Sequence, residues 1–282
     1  MKHLGEVLQL SIAFLEERQV ARPRRIAEEL LATVLNCKRM DLYMQFDRPI
    51  EESELAIMRE RLKRCAKGEP LEYVIGEVKF LGCSIKVDRR VLIPRPETEI
   101  MADLIVKRIQ NDFVDGKVLW DLCTGSGCLG ISIQKLLPSL SVAISDISDA
   151  ALSLAKENVL ANQVPVQVIQ GDLFEPFQNK TADFIVANPP YISVAAFDGL
   201  QPSVRDYEPK LALIGGESGM LFYERLAKSL PERLNAGGAA FFEIGFDQKE
   251  AVKKIFSHYP WRGIEVLKDW SGHDRFFFLE KQ

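Results

Sequence analysis

At 282 residues, 47% of them apolar and 27% charged, the chain exceeds a typical domain of about 100 to 200 residues, which predicts two domains and at least one sizeable core. No uninterrupted apolar run approaches the roughly 20 residues of a membrane span, so a membrane-spanning helix is excluded. The formal net charge of −4 argues against a surface built to neutralise many phosphates, although the basic residues between Arg18 and Lys67 leave room for a local patch.

The first residues carry Glu6, Glu16 and Glu17 and no small-residue cleavage site behind an apolar stretch, from which cytoplasmic residence is expected. The five cysteines, at 37, 65, 83, 123 and 128, form neither a CxxC pair nor a Cys/His cluster of zinc-like spacing. They read as buried thiols, and no metal is expected.

From Leu4 to about Gly68 apolar residues recur at helical spacing: Leu4, Leu8, Ile12 and Leu15, then Ile26, Leu30 and Val34, then Leu55, Met58, Leu62 and Cys65. The pattern predicts a small helical bundle, with Pro23 in a first helical turn and Pro49 separating the later helix from what precedes it. Between Tyr73 and Val91 the period changes to two, with Cys83, Ile85 and Val87 alternating against Ser84, Lys86 and Asp88 and glycines at 76 and 82; this predicts a β-hairpin linking two domains. A helix is expected from Pro96, with Ile100, Leu104 and Ile105 on one side. From Lys117 strands (118–122, 142–145, 166–169, 184–187, 239–244) alternate with helices (128–137, 149–162, 220–234, 248–258), and strands at 263–267 and 275–279 close the chain. Such alternation predicts an α/β fold with a mostly parallel, doubly wound sheet and an antiparallel hairpin at one edge. The domains are then a helical bundle at 1–70, a hairpin linker at 71–95 and a catalytic domain at 96–282.

The first strand of the repeat runs into Cys123, Thr124, Gly125, Ser126 and Gly127, with a helix directly after it. Glycines let the backbone approach a ligand closely, and a helix N-terminus offers free N–H groups to an anion. The second strand ends in Asp146, about 20 residues on, where a carboxylate can bind ribose hydroxyls. These features suit a dinucleotide and S-adenosylmethionine alike. After the third strand, Asp172 and Leu173 put a hydrogen-bonding acid beside apolar side chains, suited either to an adenine amino group and ring or, for Asp172, to turn chemistry alone.

The fourth strand enters Asn188, Pro189, Pro190 and Tyr191, and this segment distinguishes the chemistries. Two adjacent prolines remove two backbone donors and fix φ, leaving the carbonyls before them free for a ligand. A planar nitrogen conjugated to a carbonyl or an aromatic ring is a poor nucleophile, so positioning must supply most of the catalysis. The Asn188 side-chain oxygen and the Pro189 carbonyl suit the two N–H groups of a primary amide, and Tyr191 suits the packing of a planar group. None of His3, His258 and His273 lies in this segment.

These residues, with Gly68-Glu69-Pro70, Tyr73 and Gly76, the run Leu92-Ile93-Pro94-Arg95-Pro96-Glu97-Thr98-Glu99, Tyr207-Glu208-Pro209, Gly215-Gly216 with Gly219, and Glu243-Ile244-Gly245, make the chain resemble the HemK/PrmC family of peptide-chain-release-factor glutamine methyltransferases over nearly its whole length. The resemblance implies a Rossmann-like class I S-adenosylmethionine methyltransferase domain behind a helical domain that docks a release factor. It implies N5-methylation of the glutamine in a Gly-Gly-Gln motif, in a class I release factor rather than in nucleic acid. Carried over residue by residue, Cys123 to Gly127, Asp146, Asp172, Leu173 and Asn188 hold the cofactor. Asn188, Pro189, Pro190 and Tyr191 hold the glutamine, and Arg95 and Glu97 line the same cleft. Cys123 stands where relatives commonly carry glycine, and a conformation open to an ordinary residue is expected for it. An exocyclic-amine methyltransferase (N6-adenine or N2-guanine) presents the same geometry to Asn-Pro-Pro-Tyr. A nicotinamide-dependent oxidoreductase or a non-catalytic binding module leaves that segment unexplained.

Overall fold

The computed structural model describes residues 2–110 and 114–282, in two compact units. The first runs to Gly76 and includes Gln201–Tyr207; the second holds Glu77–Leu200 and Glu208–Gln282. Among the described residues no helix is long and apolar enough to cross a membrane.

The first unit comprises α1 (Leu4–Glu17), α2 (Pro23–Val34), a 3-10 segment (Arg39–Met44), α3 (Glu52–Ala66) and α4 (Leu71–Ile75). Leu4, Leu8, Ile12 and Leu15 meet Leu30 and Leu31 and the Leu55, Met58, Leu62 and Cys65 stripe in one core. Pro23 occupies the first turn of α2, where the donor it lacks has no intrahelical partner to lose. At α3, Glu54 accepts from the backbone N–H of Glu51 at 2.9 Å, a capping box that starts the helix.

The hairpin is shorter than its sequence pattern. Residues 71–75 form a helical turn, because Leu71, Val74 and Ile75 fall at helical spacing and pack into the bundle core. Arg64 forks onto Glu69 through Nε and Nη2, both at 2.8 Å, and donates to the Tyr73 carbonyl at 3.1 Å, which ties Glu69 and Tyr73 to α3. Gln201–Tyr207, inside 96–282 by sequence, clusters with this unit; it contains α9 (Pro202–Arg205), and the Tyr207 hydroxyl donates to the Lys67 carbonyl at 2.8 Å.

The second unit opens with β1 (Glu77–Phe80) and β2 (Cys83–Lys86), antiparallel about Leu81 and Gly82, whose φ values of +43° and +75° are those of a tight hairpin turn. A seven-stranded sheet follows, built from β3 (Val118–Leu122), β4 (Ser141–Asp146), β5 (Gln167–Gln170), β6 (Ala182–Ala187), β7 (Leu234–Glu243), β8 (Trp261–Lys268) and β9 (Asp274–Lys281), in the order β5-β4-β3-β6-β7-β9-β8. Strands β3 to β7 are parallel, and β9 runs antiparallel to both its neighbours. The helices are α5 (Pro96–Ile109), α6 (Cys128–Leu136), α7 (Asp149–Asn162), α8 (Val194–Phe197), α10 (Leu221–Arg233) and α11 (Lys249–Phe256). The central strands are apolar nearly throughout: Leu119, Trp120 and Leu122 of β3 and Phe184, Ile185 and Val186 of β6 are all buried.

Strand order reverses between β3 and β6, since the chain moves from β3 outward to β4 and β5 and then returns to the other side of β3. A crevice opens at the carboxyl ends of strands at such a switch point. Here those ends are Leu122 and Ala187, immediately before Cys123 and Asn188.

Candidate active site

The loop after β3 is held by its backbone. Thr124 N donates to the Ser145 carbonyl at 3.0 Å, and Gly125 N donates to Asp146 Oδ2 at 2.9 Å. Below it, buried Asp121 accepts from Thr124 Oγ1 at 2.5 Å and from Gly130 N at 3.0 Å, stapling the loop to α6. Burial pushes this carboxyl up to about 7. Gly130 makes the approach possible: a Cβ there would lie 2.3 Å from Ile144 Cγ2. Asn158 of α7 donates to the Ser126 carbonyl at 2.9 Å and bonds both the N–H and the C=O of Lys86, joining the loop to the β1–β2 hairpin.

Cys123 departs from expectation: its φ is +55°, a left-handed conformation that a side chain normally disfavours. The chain must turn there so that Thr124 and Gly125 meet the end of β4. Strain of this kind costs an L-residue about 1–2 kcal/mol. Cys123→Gly is therefore expected to be more stable than Cys123→Ala by about 1 kcal/mol in denaturant unfolding, both variants having lost the thiol. Equal midpoints and slopes would mean the turn is not strained. Burial, with Asp146, Asp121 and Asp172 nearby, pushes the thiol well above its usual range, so it remains protonated and is no nucleophile.

Asp146 accepts from Gly125 N and, through Oδ1, from Ser148 N at 2.9 Å, so its carboxylate is oriented at the cleft wall. Asp172 forms an ion pair with Arg225 at 2.7 Å, and Leu173, at φ +50°, is buried in the sheet core beside it.

Asn188 stands at the end of β6 and donates through Nδ2 to Thr98 Oγ1 at 3.1 Å. Thr98 donates in turn to Glu243 Oε2 at 2.6 Å. Pro189 and Pro190 are buried; Tyr191 packs against the sheet core, with its hydroxyl 3.5 Å from Glu243 Oε1. The segment has backbone supports on the far side. Gln248 donates to the Tyr191 carbonyl at 2.8 Å, and Ile192 pairs with Ile214 in a parallel bridge. A Cβ on Gly215 would lie 2.4 Å from the Pro190 carbonyl oxygen, and one on Gly219 would lie 2.3 Å from that of Tyr191.

One cleft, with about 930 Å³ of empty space including its open mouth, brings together Cys123 to Ser126, Asp146, Asp172, Leu173, Asn188 and Pro190, with Thr98 and Phe222 also in its wall. Gly127 instead caps α6, at φ +85°. Pro189, Tyr191, Arg95 and Glu97 do not line this cleft. The Arg95 guanidinium pairs with buried Glu208, which also accepts from Ile93 N, while Pro94 and Thr98 on either side reach the wall. Sequence reasoning assigned no role to Thr98, Glu243, Gln248 or Gly215. A carboxylate ending an apolar strand, as Glu243 does, was the available signal.

The donor set suits a sulfonium nucleoside better than a diphosphate. Asp146 and Asp172 are in the wall, and its one cation among the described residues, Arg90, is already held by Asp88 at 2.7 Å and Glu157 at 3.1 Å. The N-terminus of α6 and the Gly125 backbone face the cleft from the loop, and a Cβ on Gly125 would meet nothing within 4 Å, so that space is open to a ligand.

Residues 6–76 match the model of the PrmC N-terminal domain, and residues 96–199 that of the methyltransferase small domain. The release factor glutamine methyltransferase of Chlamydia trachomatis serovar L2 is 40% identical over 99% of this chain and 94% of its own. That of Geobacter sulfurreducens is 37% identical over 96% and 94%. A solved methyltransferase from Pyrococcus furiosus shares the fold at a TM-score of 0.53 and 18% identity, over 82% of this chain and 99% of its own. With a methyltransferase fold, a cleft at its switch point and relatives of this identity matching end to end, the chain belongs to the release factor glutamine methyltransferase family.

Proposed function

We propose that the protein transfers the methyl group of S-adenosylmethionine to the side-chain amide nitrogen, N5, of the glutamine in the Gly-Gly-Gln motif of class I peptide chain release factors. One observation carries this reading at the level of atoms. Asn188, a residue of the cleft wall, donates one amide N–H to Thr98, and its Oδ1 accepts no hydrogen bond among the described residues. A primary amide brings two N–H groups and needs acceptors of this kind.

The cofactor, when bound, supplies an electrophilic methyl group on a sulfonium. The residues of this chain supply position. Asn188 Oδ1 and, just outside the cleft described above, the Pro189 carbonyl each accept one N–H of the glutamine amide, which orients the nitrogen lone pair and stabilises the positive charge that develops there. Tyr191 and Pro190 bound the planar group, and the proton leaves to solvent without a base from the protein. Asp146 receives ribose hydroxyls, Asp172 and Leu173 the adenine, and the loop from Cys123 to Gly127 the methionine end. Arg95 and Glu97 belong to the approach from the linker side. The helical unit docks the release factor, and the reaction belongs to the cytoplasm, where translation ends.

The test is incubation with methyl-labelled S-adenosylmethionine and a release factor, beside its Gln→Ala variant at the Gly-Gly-Gln motif and a structured RNA. Label in the unaltered factor alone is expected. Label in the RNA, or in the Gln→Ala factor to the same extent, would overturn the assignment.

A further inference from the structure

Thr98 is buried near the start of α5, between two side chains that are distant in sequence. Its Oγ1 is 2.6 Å from Glu243 Oε2 and 3.1 Å from Asn188 Nδ2. An ionised carboxylate only accepts, so the one hydroxyl proton of Thr98 goes to Glu243 and Thr98 meets Asn188 with a lone pair. Only the NH2 end of Asn188 satisfies that lone pair. The amide is planar and its two ends point apart, so the oxygen is turned away from Thr98 and left for a donor that enters the cleft Asn188 lines.

We propose that Thr98 and Glu243 are positioning residues: the ionised carboxylate, acting through the Thr98 hydroxyl, holds the Asn188 amide with its oxygen toward the substrate, and protonation of Glu243 reverses the arrangement. The proposal rests on the reading of Asn188 as acceptor for the glutamine amide. A protonated Glu243 donates to Thr98 Oγ1, which then turns its own proton on Asn188. Asn188 answers with Oδ1 and presents its NH2 group to the cleft, where it opposes the N–H groups of a primary amide.

The surroundings of Glu243 make both states accessible near neutrality. The Tyr191 hydroxyl faces Oε1 at 3.5 Å, and the Tyr223 hydroxyl of α10 donates to the Glu243 backbone carbonyl at 2.8 Å. Arg275 of β9 and Arg95 before α5 favour the charged form, Glu97 of α5 opposes it, and the Cys128 thiol at the start of α6 lies in its field. Burial outweighs the Thr98 hydrogen bond and the two cations and pushes the carboxyl up to about 7. Transfer therefore falls as pH drops through this range and is full above it.

The experiment compares wild type, Thr98→Val, Thr98→Ser and Asn188→Ala for single-turnover methyl transfer to a release factor at saturating cofactor, below and above pH about 7, with cofactor affinity measured by calorimetry. Thr98→Ser keeps the relay and is expected to keep the wild-type rate and its acid limb. Thr98→Val keeps the shape without the hydroxyl. It is expected to bind cofactor normally, to transfer about 10- to 100-fold more slowly, and to lose the acid limb, since Asn188 no longer responds to Glu243. An inactive Asn188→Ala beside a Thr98→Val with wild-type rate and pH profile would overturn the relay alone. An active Asn188→Ala would remove the acceptor reading, and the proposal with it. Loss of cofactor affinity in parallel with rate in Thr98→Val, or a Thr98→Ser as slow as Thr98→Val, would make Thr98 a structural residue and also overturn the proposal.

Discussion

Asn188→Ala is expected to lower methyl transfer by about 10²- to 10³-fold while leaving cofactor affinity within a few-fold of wild type. The magnitude corresponds to about 3–4 kcal/mol of barrier, the usual loss when one preorganised partner of a developing charge is removed. The asymmetry follows from what Asn188 is asked to do. In the proposed geometry its oxygen faces a nitrogen whose charge is small before transfer and large during it, so the interaction strengthens in the transition state and its removal is expected in kcat. Truncation also frees Thr98, which keeps its bond to Glu243, so the fold loses little. Single-turnover rates with labelled cofactor, alongside calorimetric cofactor titration, check both halves. A rate within about threefold of wild type would remove Asn188 from catalysis, far inside the range expected for such a group.

Gly215→Ala is expected to cost about 100-fold in transfer although Gly215 has no side chain and its own bonds, N–H to the Ile192 carbonyl at 2.8 Å and C=O from Leu221 N at 3.1 Å, are backbone ones. Its φ is not in the left-handed region, so the effect is purely steric. The added methyl would sit 2.4 Å from the Pro190 carbonyl oxygen, 2.9 Å from Tyr191 Cα and 3.0 Å from the Gly219 carbonyl oxygen, where ordinary contact begins at 3.4 Å. All three are backbone atoms and cannot rotate away. Pro190 and Tyr191 must then move by roughly 1 Å, and a misplacement of that size in a positioning site costs about two orders of magnitude. The fold bears it more easily, at about 1–3 kcal/mol for an overpacked site. Gly263→Ala on β8, where the new methyl meets only Glu280 Oε2 at 3.8 Å, is the control and should transfer at the wild-type rate. A Gly215→Ala enzyme as fast as that control would show that the segment yields elsewhere without losing its geometry.

Both variants test features of unequal visibility in the sequence. The α/β alternation was legible because hydrophobic period is local: the helix read at 149–162 is α7, Asp149–Asn162. It starts where Ser148 accepts a hydrogen bond from Ala151 N and Asp149 occupies the first turn. Residues 71–75 misled because so short a segment shows neither period clearly, and docking into the bundle core settled it as helix. Cys123 was read as an ordinary conformation because nothing in its neighbours specifies φ; the position of Ser145 and Asp146 on the adjacent strand does.

The sequence by itself determined the elements, the α/β class and the residue types of the chemistry: a glycine loop, an acid after the second strand, and Asn-Pro-Pro-Tyr after the fourth. Periodicity, turn residues and proline act within a few positions, so they can be read without the fold. Tertiary structure decided the order of strands, and with it which loops face one another at the switch point. It also decided which end of the Asn188 amide meets Thr98. That choice depends on a hydroxyl 90 residues away and on a carboxylate 145 residues from that hydroxyl, brought within hydrogen-bonding distance by the packing of α5 over β7. A hydrogen bond has a range of about 3 Å and a direction, and no local pattern in the chain encodes either across such separations.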